Sequence, residues 1–119
     1  MPFFDLASRL EDILAAIDDV NAFTAGKSFD DDMAESMLKR AVERSIEIVS
    51  EASRHVPDNL NAPHPQIPWR RIAGVGNGLR HGYKTVDDHE IWEIVVRDLA
   101  PLKAATEQLL QEAESKGTP

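Results

Sequence analysis

The chain has 119 residues, 42% hydrophobic and 29% charged, with 21 acidic and 13 basic side chains and a net charge of −8. That is one domain's length, enough to bury a core without disulfides or metal, and too acidic to coat nucleic acid or membrane with its whole surface. The absence of cysteine excludes a disulfide scaffold, a thiol nucleophile and cysteine zinc sites.

The apolar residues recur at helical spacing. Leu6, Leu10, Ile13, Ile17 and Val20 draw one stripe along a first helix, and Asn21 to Lys27, with Gly26, predicts the break after it. Ser28 followed by Asp31 predicts a capping box opening a second, longer helix. Ala34, Met37, Leu38, Ala41, Val42, Ile46, Ile48, Val49 and Ala52 carry that helix to about His55. Pro57, Pro63, Pro65 and Pro68 crowd the next stretch, so residues 56–68 are expected to form a non-helical connection, the longest in the chain.

Pro68 is placed to start a third helix from Trp69 to about Tyr83. Asp87 and Asp88 could cap a fourth, running through Ile91, Trp92, Val95, Leu99, Leu102 and Leu109, with Pro101 expected to kink or restart it. A short polar tail follows, over residues 112–119. Sustained alternation and hairpin signals are missing. The expectation is an all-α, antiparallel four-helix bundle formed by a single domain over residues 1–119. No apolar run approaches the roughly 20 residues of a membrane helix. The N-terminus has no basic region of the signal-peptide kind, which fits a cytoplasmic protein.

Charge is distributed unevenly. Between Asp58 and Asp87 there is no acidic residue, while Arg70, Arg71, Arg80 and Lys84 fall there with His64 and His81. Such an island suits phosphate, because arginine offers a planar fork of donors to phosphate oxygens. The alternative is that these arginines pair with acids of neighbouring helices. Arg70, Gly74, Asn77 and His81 step by four, three and four, so they share one helix face, and Tyr83 follows closely. His81 on a polar, acid-free face can act as acid or base near neutral pH.

Gly74, Gly76 and Gly78 each weaken a helix interior, by up to about 1 kcal/mol relative to alanine. No strand precedes them, so a dinucleotide loop is a poor reading, and close approach of another backbone is the better one. Glu51 and His55 are four apart, not the three of a di-iron Glu-x-x-His motif, and no metal or other cofactor is expected.

The segment from Ile67-Pro68-Trp69 through Gly74, Asn77, His81-Gly82-Tyr83, Val86-Asp87 and Ile91-Trp92 resembles the HepT-like family of the HEPN superfamily. The resemblance runs from the first helix to Leu109. It implies a ribonuclease toxin of a two-gene toxin–antitoxin module, an endoribonuclease that needs no metal. It further implies a homodimer whose third helices face each other, and a nucleotidyltransferase antitoxin as partner, able to silence the toxin by adenylylating Tyr83. The family motif is an arginine, four to six residues, a histidine, one residue and a tyrosine. His81 and Tyr83 match it, while Gly74, Val75 and Gly76 occupy the positions open to the arginine.

The expected site therefore has His81 and Arg80 as catalytic residues. Arg80 would swing into space left by Gly76, and Arg70, Arg71, Asn77 and Lys84 would hold phosphate or RNA. The competing expectation is a catalytically degenerate module that binds a nucleotide, RNA or its antitoxin without cutting, because Gly76 replaces the motif arginine. A purely structural helical adaptor would leave the basic island unexplained.

Overall fold

The computed structural model describes residues 5–81 and 87–117. Among these there is no strand, and the architecture is an all-α bundle. Helix α1 (Leu6–Thr24) is capped by the Asp5 carboxylate, which accepts from the Ser8 N–H. It runs three residues beyond Asn21 into the expected break and ends before Gly26, whose φ of 71° suits a residue without a Cβ.

The Ser28–Asp31 capping box forms as expected, with both reciprocal hydrogen bonds present. The helix it opens, α2 (Phe29–Ala34), is however only one and a half turns long. The chain turns extended at Glu35 and starts again as α3 (Ser36–Ser53), so the expected single helix is two. The reason lies in what α2 docks on. Phe29 stacks on His89, with centroids 4.2 Å apart, and meets Trp92 edge-on, which draws α2 toward the fourth helix and off the line of α3.

The proline-rich connection is likewise not free of helix, because one turn, α4 (Asp58–Asn61), fits between Pro57 and Pro63. The Trp69 indole N–H donates to the His64 carbonyl at 3.0 Å and ties the connection to the start of α5 (Trp69–Arg80). His64 itself is buried.

The fourth helix begins as α6 (Asp88–Glu93), capped by the Asp87 carboxylate. It passes through a π-helical stretch at Ile94–Asp98 and continues as α7 (Leu99–Gly117). Pro101 does not end it. Instead the turn ahead of the proline widens, and Leu99 donates to the Ile94 carbonyl, one residue further back than in an α-helix. Proline lacks the N–H and crowds the preceding turn, and the slipped register absorbs both effects.

Helix α1 packs against α3 and α7, and α3 packs against α5. The α1–α7 pair is antiparallel, since Leu6 meets Leu109 and Ala113, and Lys103 pairs with Asp18 at 3.1 Å. One cluster of buried side chains joins them: Leu10, Ile13, Ile17 and Val20 with Val42, Ile46 and Val49, Ile72 and Val75, and Ile94, Leu99, Leu102 and Leu109. The expected stripes are these residues, and burying aliphatic side chains at roughly 1.5–3 kcal/mol each is what holds the helices together. No helix among the described residues is long and apolar enough to cross a membrane.

Candidate active site

Helices α3 and α5 run antiparallel and very close, and the contact is made at Ser50 and Gly76. The Ser50 hydroxyl donates to the Ala73 carbonyl at 2.9 Å and accepts the Gly76 N–H at 3.0 Å. A Cβ on Gly76 would overlap that hydroxyl and stand 2.5 Å from Ser50 Cβ. The close backbone approach expected for these glycines is thus real at Gly76 and comes from a neighbouring helix. At Gly74 a Cβ would meet nothing within 4 Å. The space expected beside Gly76 does not exist, because Ser50 fills it.

Arg80 therefore lies elsewhere. Its guanidinium pairs with the Glu51 carboxylate at 3.4 Å and donates to the Asn77 side-chain carbonyl at 3.3 Å, with nearly half of the side chain exposed. Glu51 also holds His55 at 3.5 Å and Arg54 at 3.9 Å. Partial burial pushes the Glu51 carboxyl up, but hydrogen bonds from Arg80 and His55 and the charges of Arg54 and Arg80 outweigh it and hold the group below the usual range. His81 closes α5 as its C-cap, exposed, with its backbone N–H donating to the Asn77 carbonyl. The C-terminal end of α5 thus gathers Asn77, Arg80 and His81, facing Glu51 of α3.

The other expected residues separate. Arg71 reaches the fourth helix, 3.1 Å from the buried Asp98 and 3.6 Å from Glu93. Arg70 is exposed near the start of α5 and makes no ion pair with a described residue. Tyr83 and Lys84 lie outside the described residues. Two of the island's arginines are thus paired with acids of neighbouring helices, and Arg70 is not. Sequence reasoning missed Ser50, and it missed the joint role of Glu51, Arg54 and His55, having weighed Glu51 and His55 only as a metal motif. The only signal for the latter three was their spacing at the end of α3, which puts Glu51 within one turn of both Arg54 and His55. Among the described residues, no three His, Asp or Glu side chains stand together as a metal site.

Fold and site define a small helical bundle with a cationic, histidine-bearing helix end and no metal cluster among its described residues. The profile of the family described as ribonuclease HepT-like matches residues 13–109. A Thermococcus cleftensis protein named probable ribonuclease HepT is 38% identical over 100 residues, covering 84% of this chain and 91% of that protein. A Methanocaldococcus jannaschii protein whose name describes it as an RNase is 30% identical over 116 residues, covering 98% of this chain and all of its own length. A Caldanaerobacter subterraneus protein, likewise named as an RNase, is 33% identical over 102 residues, covering 86% of this chain and 91% of its own. No solved structure matches. The chain belongs to the HepT-like ribonuclease family.

Proposed function

We propose that this protein is an endoribonuclease of the HepT-like kind, cutting RNA without metal by attack of the ribose 2′-hydroxyl on the adjacent phosphorus. The observation that carries the reading is the gathering of Asn77, Arg80 and His81 at the exposed end of α5, in a chain of this family. His81 takes the 2′-hydroxyl proton or returns one to the departing 5′-oxygen, work that an imidazole side chain can do. Arg80 holds the phosphate oxygens as negative charge builds on them. To do so it must turn from Glu51 to the substrate. Asn77 already orients the guanidinium, and Arg70 and Lys84 extend the cationic track. Arg71, paired with Asp98, anchors α5 to the fourth helix. The products are a 2′,3′-cyclic phosphate and a 5′-hydroxyl. DNA lacks the nucleophile and is not cut.

In the cell this enzyme serves as the cytoplasmic toxin of a toxin–antitoxin pair, dimerised through α5. A nucleotidyltransferase antitoxin restrains it by adenylylating Tyr83. RNA cleavage in EDTA by the wild type, His81→Ala and Arg80→Ala tests the chemistry. A loss of about 100-fold or more in both variants, with cyclic phosphate ends, is expected. Dependence on Mg²⁺, or equal cutting of DNA, would refute it.

One observation favours a second reading, a binding protein that does not cut. The Gly76 position is closed to any side chain, and Arg80, its nearest substitute, is paired with Glu51. RNA binding that weakens with salt, without cleavage by a well-folded dimer, would establish it.

A further inference from the structure

A cleft of about 420 Å³ opens between α3, α4 and α5, at the other end of α5 from His81. Its volume is within the range that holds a small ligand. Arg54 of α3 and Arg70 of α5 line it, and neither is firmly committed. Among the described residues Arg54 pairs with Glu51 alone, at 3.9 Å, and Arg70 pairs with none. Trp69 lines it as well. Its indole N–H is already given to the His64 carbonyl, so what the ring offers the cleft is apolar surface.

Two further lining residues carry polar atoms that no described residue satisfies. The Ser53 hydroxyl is buried without a partner. The Asn61 side-chain carbonyl is buried without one too. Its orientation is set by its own amide nitrogen, which donates to the Val56 carbonyl at 3.3 Å. Buried polar atoms left unpaired are costly, so two of them at the wall of one cleft suit an occupant that pairs them. Asp58 completes the lining. Its charge opposes a bare anion but suits the hydroxyls of a sugar, the use a carboxylate finds in nucleotide sites.

We propose that this cleft binds one nucleotide unit of RNA. Its phosphate lies between Arg54 and Arg70, its base against Trp69 and its ribose 2′-hydroxyl on Asp58. Small rotations of Ser53 and Asn61 bring their unpaired atoms to the base edge. Eleven residues of α5 separate Arg70 from His81, a rise of about 16 Å. The cleft therefore holds a neighbouring nucleotide and not the one being cut. In this respect it rests on the ribonuclease reading and makes the enzyme sensitive to RNA length and to ribose.

The test titrates the intact protein with 5′-AMP and follows the two tryptophan indole N–H resonances by NMR, assigned with Trp69→Phe. The Trp69 signal is expected to move, with AMP binding more tightly than 2′-deoxy-AMP and much more tightly than inorganic phosphate. Arg54→Ala should weaken AMP binding tenfold or more, Arg54→Lys should restore part of it, and Asp58→Asn should narrow the gap between AMP and its deoxy form. An unmoved Trp69 signal at millimolar AMP would overturn the proposal, as would phosphate or deoxy-AMP binding as well as AMP. Because no cleavage is read, a moved Trp69 signal in a protein that cuts no RNA would sink the ribonuclease reading and keep the nucleotide cleft. Cleavage with an unmoved signal would do the reverse.

Discussion

The Ser50 hydroxyl bridges α3 and α5, accepting the Gly76 N–H at 3.0 Å and donating to the Ala73 carbonyl at 2.9 Å. Gly76 has to be glycine because Ser50 is there, and a motif arginine cannot be restored at that position. Gly76→Arg should lower stability by about 3 kcal/mol or more, in line with severe overpacking. Thermal unfolding measures it, at roughly 4 °C per kcal/mol for a chain of this size.

Gly74 has the right distance from His81 for the longest form of the arginine motif, and it has open space around it. Gly74→Arg should fold normally, gaining up to about 1 kcal/mol from replacing a helical glycine. If the ribonuclease reading is right, it should also raise RNA cleavage. A folded Gly74→Arg with unchanged or lower cleavage would show that position 74 does not face the phosphate.

Glu51 competes with RNA for Arg80. Its carboxyl sits below the usual range despite partial burial, because Arg80 and His55 hydrogen-bond to it and Arg54 adds charge, so it remains ionised at neutral pH. Glu51→Gln should release Arg80 and tighten RNA binding several-fold at low salt, with the gain fading as salt rises. Filter binding at two salt concentrations would read this directly. Weaker binding would mean that Glu51 positions Arg80 for RNA.

Arg71 and Asp98 form an interhelical ion pair whose acid is almost wholly buried. Removing Arg71 leaves the buried Asp98 Oδ2 unpaired, although Arg97 still meets the other carboxylate oxygen at 3.3 Å. Arg71→Ala should cost on the order of 1–2 kcal/mol, below the figure for an uncompensated buried charge because Arg97 remains on Asp98 and Arg71 itself is partly exposed. The loss should appear in the denaturant midpoint. RNA affinity, corrected for the folded fraction, should change far less than in Arg70→Ala.

Asp32 is buried with one carboxylate oxygen unpartnered. Burial raises its pKa above the ordinary 3.8, helped by Asp88 and opposed by Lys39. A carboxyl that holds its proton more tightly when folded stabilises the fold below pH 4. That contribution is lost as pH rises through the raised value. Asp32→Asn should therefore melt higher than the wild type at pH 7, with the difference shrinking toward pH 4. Glu43, raised for the same reason, shifts stability in the same direction. An Asp32→Asn difference that stayed constant from pH 4 to pH 8 would contradict this account.

Much of the bundle was legible because its signals are local. The 3.6-residue recurrence of Leu10, Ile13, Ile17 and Val20 is also the buried face of α1, and the Ser28–Asp31 capping box forms within four residues of chain. His81, Arg80 and Asn77 come together because they lie within one turn of a helix whose existence the pattern already implied. These features depend on neighbours a few residues away, so a linear reading reaches them.

What the sequence could not decide was every outcome set by another helix. The break at Glu35 comes from Phe29 finding His89 sixty residues on, and the widened turn before Pro101 from a helix that core packing keeps whole. Arg71 and Arg80 look alike in the chain, yet one meets a buried acid of the fourth helix and the other an exposed acid of α3. The acid-free island of sequence was therefore no acid-free region of space. The composition and periodicity by themselves determined an all-α chain whose α5 segment carries cations and no acid, because helix formation and amphipathic burial are read within a few turns. Only the tertiary structure decided which of those cations remain available, because an ion pair depends on which helices touch and not on where charges fall in the sequence.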